Sequence, residues 1–200
     1  MAPLSSEAKA GIAALVGLGN FGPEYLATRH NAGFWFADAV AGQYRGRFRT
    51  EAKFHGEVCR VEVEGQPLWL LKPLTYMNRS GLAAVALASY YRIPPERILV
   101  VHDDLDFPPG TVRLKSGGGA GGHNGLLDLT RALGSEHYLR MRIGIGRAAG
   151  REQMVDYVLS TPSRTDRDQI EHAIEQGLGI LPSLANGAWE HAVQQLHSAP

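Results

Sequence analysis

Short apolar runs that stop at glycine or a polar turn, separated by helix-like stretches, constrain this chain more than any other feature. Ile12-Ala-Ala-Leu-Val16 ends at Gly17, and Ile98-Leu-Val-Val101 ends in His102-Asp-Asp-Leu-Asp106. Leu68-Trp-Leu-Leu71 follows a Gly65-Gln-Pro67 turn. Runs of this length, bounded by turn residues, fit strands buried on both faces. Residues 54–63 alternate as a strand, 111–114 read as an edge strand after Pro108-Pro-Gly110, and 138–146 supply another. Helices are expected over 31–44, over 80–91 with Pro94-Pro95 as the stop, and over 126–133. From about Glu152 the chain reads as helical, with interruptions at Pro162 and over 182–187. Strands alternating with helices give an α/β domain, and the hairpin-like pairs make its sheet mixed.

Two hundred residues fit one domain, here 11–200, preceded by a polar N-terminal extension over 1–10. That extension lacks the basic start and apolar centre of a signal peptide. An apolar fraction of 44% is enough for a core, and 20 basic residues balance 20 acidic ones. Zero net charge does not point to nucleic acid, yet it leaves room for a local basic patch. A single cysteine, Cys59, excludes an internal disulfide and suits a reducing cytoplasm. No apolar run approaches the roughly 18 residues of a membrane span.

Polar side chains gather just after the expected strands: Asn20, Asn78, Asp103 and the pair His123–Asn124. Ligands of open α/β sheets bind beyond strand C-terminal ends, so these groups are placed to converge. The loop Gly117-Gly-Gly-Ala-Gly-Gly-His-Asn-Gly125 carries six glycines and leads into a helix, a combination that favours phosphate or developing negative charge. Taken alone, it nominates His123 as the catalytic residue. A second His-Asn pair, His30–Asn31, precedes the first helix, and imidazole is the side chain suited to taking a proton near neutral pH.

Other motifs carry rival chemistries. Gly17-Leu-Gly-Asn-Phe-Gly22 matches the dinucleotide fingerprint, with Asp38 as its acid. The fingerprint needs a helix opening at the glycines, whereas Pro23 and a polar stretch through His30 delay it and Asp38 lies inside it. His102 with Asp103, Asp104 and Asp106 reads either as a metal box or as a strand-end aspartate that orients a histidine. His55 and Cys59 share a strand face at spacing four, with no second ligand pair for zinc. No nucleophile-elbow serine is present, which leaves water activated by histidine. Among the scattered basic residues, Lys115 and Arg142 flank the glycine loop and are the phosphate candidates.

At these residues the chain resembles the bacterial-type peptidyl-tRNA hydrolases. The resemblance is carried by Val16-Gly-Leu-Gly-Asn-Phe-Gly22, Tyr25-Leu-Ala-Thr-Arg-His-Asn-Ala-Gly33, Lys72-Pro-Leu-Thr-Tyr-Met-Asn78 and His102-Asp-Asp-Leu-Asp106. The glycine loop and Arg142-Ile-Gly-Ile-Gly146 complete it, in the family's order over about residues 12–147. It implies a single α/β domain around a twisted mixed sheet flanked by helices, cytoplasmic and monomeric, with no metal or cofactor. The implied activity is hydrolysis of the ester joining a peptide to the 3′ end of tRNA, which recycles tRNA. The resemblance puts the catalytic base at His30 and its partner at Asp103. Asn20 and Asn124 join the reacting centre, and Tyr25, Tyr76, Met77, Asn78 and His123 the substrate site. Lys115 and Arg142 fall on tRNA contacts.

Three positions depart from the family pattern: Phe21 where proline is usual, Asp104 where glutamate is common, and Ala120 within the glycine run. Phe21 leaves the backbone of Asn20 less restricted than a following proline would. The glycine loop becomes a mobile wall of the cleft, with Asn124 its main contribution and His123 secondary. The competing readings are a nucleotide-binding oxidoreductase on Gly17–Gly22, a metal hydrolase on the aspartates, and a non-catalytic RNA-binding protein.

Overall fold

A computed structural model describes residues 10–198, so most of the polar extension lies outside the described residues. The apolar runs become strands β1 (Ala14–Gly17), β4 (Gln66–Pro73), β5 (Ile98–Asp104) and β7 (Leu139–Gly144). These are joined by β2 (Arg49–Glu51), β3 (Gly56–Val63) and β6 (Val112–Ser116). They form one seven-stranded sheet in the order β2-β3-β4-β1-β5-β7-β6. The four inner strands β4, β1, β5 and β7 run parallel, while β2–β3–β4 and β6–β7 pair antiparallel. The sheet is mixed, with β2 and β6 at its free edges.

Among the described residues six α-helices cover it: α1 (Ala32–Gln43), α2 (Ser80–Tyr91), α3 (Asn124–Leu133), α4 (Met154–Val158), α5 (Arg164–Ala185) and α6 (Trp189–His197). Alternation along each strand divides the core. Leu15, Leu99, Val101, Met141 and Ile143 pack with α1, α5 and α6. Val16, Ile98 and Val100 pack with α2 and α3. Burial of both faces explains why the inner strands are apolar runs rather than half-polar ones. A fully buried side chain such as Phe36 contributes roughly 1.5–3 kcal/mol of transfer free energy. None of the helices among the described residues is long and apolar enough to cross a membrane.

Two glycines of the apparent fingerprint, Gly17 and Gly19, serve this packing, Gly19 lying against the Phe34 ring. A Cβ on Gly17 would overlap the carbonyl of Gly33, and one on Gly33 would overlap the carbonyl of Val101 and the backbone of Leu18. Helix α1 therefore crosses the end of β1 at backbone contact, which only paired glycines permit. That crossing sets His30, in the 3₁₀ turn Arg29–Asn31 before α1, against the end of β5. No helix opens at Gly22, where a 3₁₀ turn over Pro23–Tyr25 follows instead, and Asp38 pairs with Lys72 at 2.7 Å. The dinucleotide reading fails on both counts.

Several boundaries differ from the sequence expectation. β5 continues through Asp104 because β7 pairs with it as far as Gly144, which places His102 and Asp103 on the strand rather than after it. β3 begins at Gly56; Phe54 sits in a 3₁₀ turn and His55 has a left-handed backbone with φ 50. His55 thus shares no strand face with the buried Cys59, and the zinc pairing has no geometry. Pro162 falls in the break between α4 and α5, as expected. Pro182 does not interrupt α5. It stands in the last turn, where the helix forgoes the one bond a Pro182 N–H would have made, and its carbonyl accepts from the backbone and side-chain N–H groups of Asn186. β2 was not legible in its polar sequence.

Candidate active site

Asp103 is the centre of the site. It is buried at 2% exposure, and three N–H···O contacts of 2.9 Å reach its carboxylate. His30 Nδ1 faces both oxygens, and His123 Nε2 faces Oδ1. Burial alone would raise this carboxyl; the charges and hydrogen bonds of the two histidines outweigh it and hold it well below the usual carboxylate range. An ionised carboxylate only accepts, so both rings donate to it. His30 consequently keeps its lone pair on Nε2, which has no protein partner among the described residues. Burial pulls the His30 pKa down, the Asp103 charge and hydrogen bond push it up more strongly, and the balance lies above 6.5.

His123 is fixed from its other side as well. Its Nδ1 accepts from the N–H groups of Gly125 at 3.1 Å and Leu126 at 3.4 Å, which makes the ring the N-cap of α3. The orphan donors of a helix start are usually satisfied by Ser, Thr, Asp or Asn. An imidazole in that role has one tautomer, with its proton on Nε2 pointing at Asp103. Behind it lies His102, fully buried, with its Nδ1 on the carbonyl of Asp103 at 2.8 Å. Burial, followed by the neighbouring His123, lowers His102 to about 3, so it stays neutral.

Asn20 is locked despite its unusual neighbour. Asn31 brackets its backbone, accepting from Asn20 N–H and donating to Asn20 C=O, both at 2.9 Å. Asn20 Oδ1 accepts from Met77 N–H at 2.7 Å. The freedom expected from Phe21 is therefore removed by Asn31, and the Asn20 side chain has only its NH₂ left to offer. Phe21 itself is exposed and faces Tyr76 at 6.2 Å, while Tyr25 meets Tyr76 edge-on at 6.5 Å. Met77 is buried, not part of an open surface; a Cβ on Gly125 would strike its sulfur, so Met77 links this aromatic cluster to the start of α3. Asn78 lies exposed in the 3₁₀ turn Met77–Arg79.

A cleft of about 520 Å³ opens over Asp103, lined by His30, His123, Asn124, Lys115 and Arg142 and closed on one side by α4. Asn20, Tyr25, Tyr76 and Asn78 lie outside this cleft, on the Met77 side of it. Arg142 is partly committed: Nε donates to Asp104 at 2.7 Å, and its guanidinium lies 4.6 Å from the Phe107 ring centroid. Asp106 pairs with Arg147. With Asp104 and Asp106 held by arginines, the three aspartates do not form a metal box. His30, Asp103 and His123 do bring ligand-type atoms within 4.8 Å of one another. Their 2.9 Å separations are hydrogen-bond lengths, however, and the remaining nitrogen of His123 already caps a helix.

The glycine loop has two halves. Arg140, 3% exposed, donates to the carbonyls of Gly119 at 3.0 Å and Gly117 at 2.7 Å and braces the first half. Cβ atoms on Gly119, Gly121 and Gly122 would meet nothing; Gly121 and Gly122 are required for their positive φ of 58 and 83. On β6 and β7, Arg113 stands opposite Arg142 and Lys115 opposite Arg140, so all four cations share one face of the sheet. Sequence reasoning missed Asn31, Arg140 and the capping role of His123. It also missed Arg29, which ties the turn carrying His30 to Ser160 Oγ at 2.6 Å. The repeated His-Asn pair marked Asn31, but no local signal distinguished Arg140 from the solvated arginines around it.

Comparison with known proteins gives the family. A family model described as peptidyl-tRNA hydrolase matches residues 14–200. A protein of that name from Methylococcus capsulatus is 54% identical over 183 residues, covering 92% of this chain and 97% of its own. One from Neisseria gonorrhoeae is 52% identical over 184 residues, covering 92% and 96%. The crystal structure of peptidyl-tRNA hydrolase from Acinetobacter baumannii superposes with a TM-score of 0.92 at 42% identity, covering 95% of this chain and 96% of its own.

Proposed function

The chain belongs to the peptidyl-tRNA hydrolase family, and from that premise we propose how its own residues cleave the ester between a peptide and the 3′ end of tRNA. His30 is the general base. Its Nε2 takes a proton from water, the water oxygen attacks the ester carbonyl, and the imidazolium formed is stabilised by Asp103. The tetrahedral oxyanion then collapses, the ribose oxygen leaves with the proton returned by His30, and the peptide is freed as a carboxylic acid that loses its remaining proton to solvent. A general base of this kind supplies roughly 10²–10⁴-fold. The observation that carries this reading is a histidine whose Nδ1 rests on both oxygens of an ionised carboxylate, while its Nε2 has no protein partner among the described residues.

Asn124, at the start of α3 with no protein partner among the described residues, orients the water or donates to the oxyanion. Asn20 presents its NH₂ to a carbonyl of the peptide, and Asn78 supplies a complete carboxamide beside the aromatic surface of Tyr25 and Tyr76. Met77 and His123 act as the packed wall between them. Lys115 and Arg142 hold tRNA phosphate. Residues 11–200 work as one domain, as a monomer in the cytoplasm, with no metal in the reaction; every group invoked comes from one chain. The deciding experiment offers N-blocked and free aminoacyl-tRNA in the presence of a chelator. Release from the blocked substrate alone is expected. Chelator-sensitive release, or equal release from both, would overturn the mechanism.

A further inference from the structure

A cavity of about 420 Å³ opens at the opposite edge of the sheet, where β2 and β3 meet the end of α2. Arg45, Arg47, Arg49, Lys53 and Arg60 line it against one carboxylate, Glu51. Among the described residues, the one ion pair these cations make is Arg60 with Glu62, at 3.9 Å between exposed side chains. The chain as a whole carries no net charge, so this is a local excess. Charged side chains commonly protect a free sheet edge from pairing. That role requires neither a cavity nor what lies beside the cations here. Trp69 stacks on Tyr91 at 4.1 Å and 19°, and both line the cavity. Lys53 Nζ sits 4.2 Å from the ring centroid of the exposed Tyr90. Cations interleaved with aromatic faces are what single-stranded and backbone-tracking RNA sites use.

Position strengthens the case. Arg49 stands opposite Val58, and Arg60 opposite Trp69, which places these groups on the sheet face that packs against α2 and α3. Arg140 stands beside Val100 and Arg142 beside His102, so the cations of β6 and β7 lie on that same face at the other edge. Four strand steps separate β3 from β7, and six separate β2 from β6. At about 4.8 Å per step this is roughly 19–29 Å, a span that a nucleic-acid backbone covers and a small anion does not.

We propose that the β2–β3 edge is a second RNA-backbone site, which grips the body of the tRNA while Lys115 and Arg142 hold phosphate near the ester. The proposal rests on the hydrolase reading above. Its test is the double variant Arg47→Ala/Arg49→Ala, both exposed side chains, compared with wild type on full-length N-blocked aminoacyl-tRNA and on a short N-blocked aminoacyl oligonucleotide. With full-length substrate KM rises several-fold and kcat holds. The slope of log(kcat/KM) against log salt becomes shallower by roughly 1.4–1.8, two contacts at 0.7–0.9 each. Hydrolysis of the short substrate is unchanged. An unaltered KM and slope, an equal loss on both substrates, or a loss confined to acidic peptides would overturn the proposal. Binding of deacylated tRNA separates it from the hydrolase reading. If the wild type binds tRNA through Arg47 and Arg49 yet cleaves neither substrate, the site stands and the hydrolase reading falls. If it cleaves and the double variant binds tRNA as tightly as before, the reverse holds.

Discussion

At the floor of the active site the polar groups are committed: Asp103 to two histidines, the Asn20 backbone to Asn31, and His123 to a carboxylate and a helix start. At the rim, Asn78 is exposed and Lys115 lines open space without a protein partner among the described residues. The floor is preorganised, so its groups cost little reorganisation when charge develops. The rim keeps its donors and acceptors unspent for a substrate. Floor substitutions should therefore lower kcat, and rim substitutions should weaken binding.

The largest effect is expected at His30. His30→Ala should lower kcat by about 10²–10⁴-fold with little change in KM, and near-full activity on peptidyl-tRNA would remove the chemical role of the floor. Asp103→Asn comes next and sharpens the picture through pH. His30 acts when neutral, and its pKa is raised, so wild-type kcat/KM should fall as pH drops through a value above 6.5. The substitution removes the charge and carboxylate bond that raise that pKa and leaves the burial that lowers it. The residual activity should then lose its acid limb only below 6.5; an unmoved limb would contradict the pairing. Asn31→Ala touches no substrate but strands the buried N–H and C=O of Asn20. A loss of about 1–3 kcal/mol in urea unfolding is expected, together with a lower kcat. The smallest effect belongs to the rim. Lys115→Ala should leave kcat intact and flatten the salt dependence of kcat/KM by roughly 0.7–0.9; a kcat defect there would blur the division between floor and rim.

How far the sequence foretold this depended on the range of the interactions. Helix α2 was legible to the residue, since it is an alanine-rich run and Pro94 stops it. His30, Asp103 and the asparagines were legible through their motifs. The extension of β5 was not, because its last three residues become strand only by pairing with β7, some forty positions away. The fingerprint misled for the same reason: Gly17 is required by its contact with Gly33, which no short motif encodes. Phe21 in place of proline leaves Asn20 free on local grounds, and a side chain eleven residues later restrains it. Pro182 looked like a breaker because the length of α5 behind it was invisible.

The double duty of His123 carries a consequence for timing. One ring supports both the first turn of α3 and the charge of Asp103. Any excursion of the glycine loop that lifts this ring uncaps the helix and, in the same movement, takes one of two donors from the carboxylate that tunes His30. The loop and the base are thus interlocked like a latch and a trigger. With the latch displaced, Asp103 is left to His30 alone, so the position of the loop is coupled to the basicity of the base.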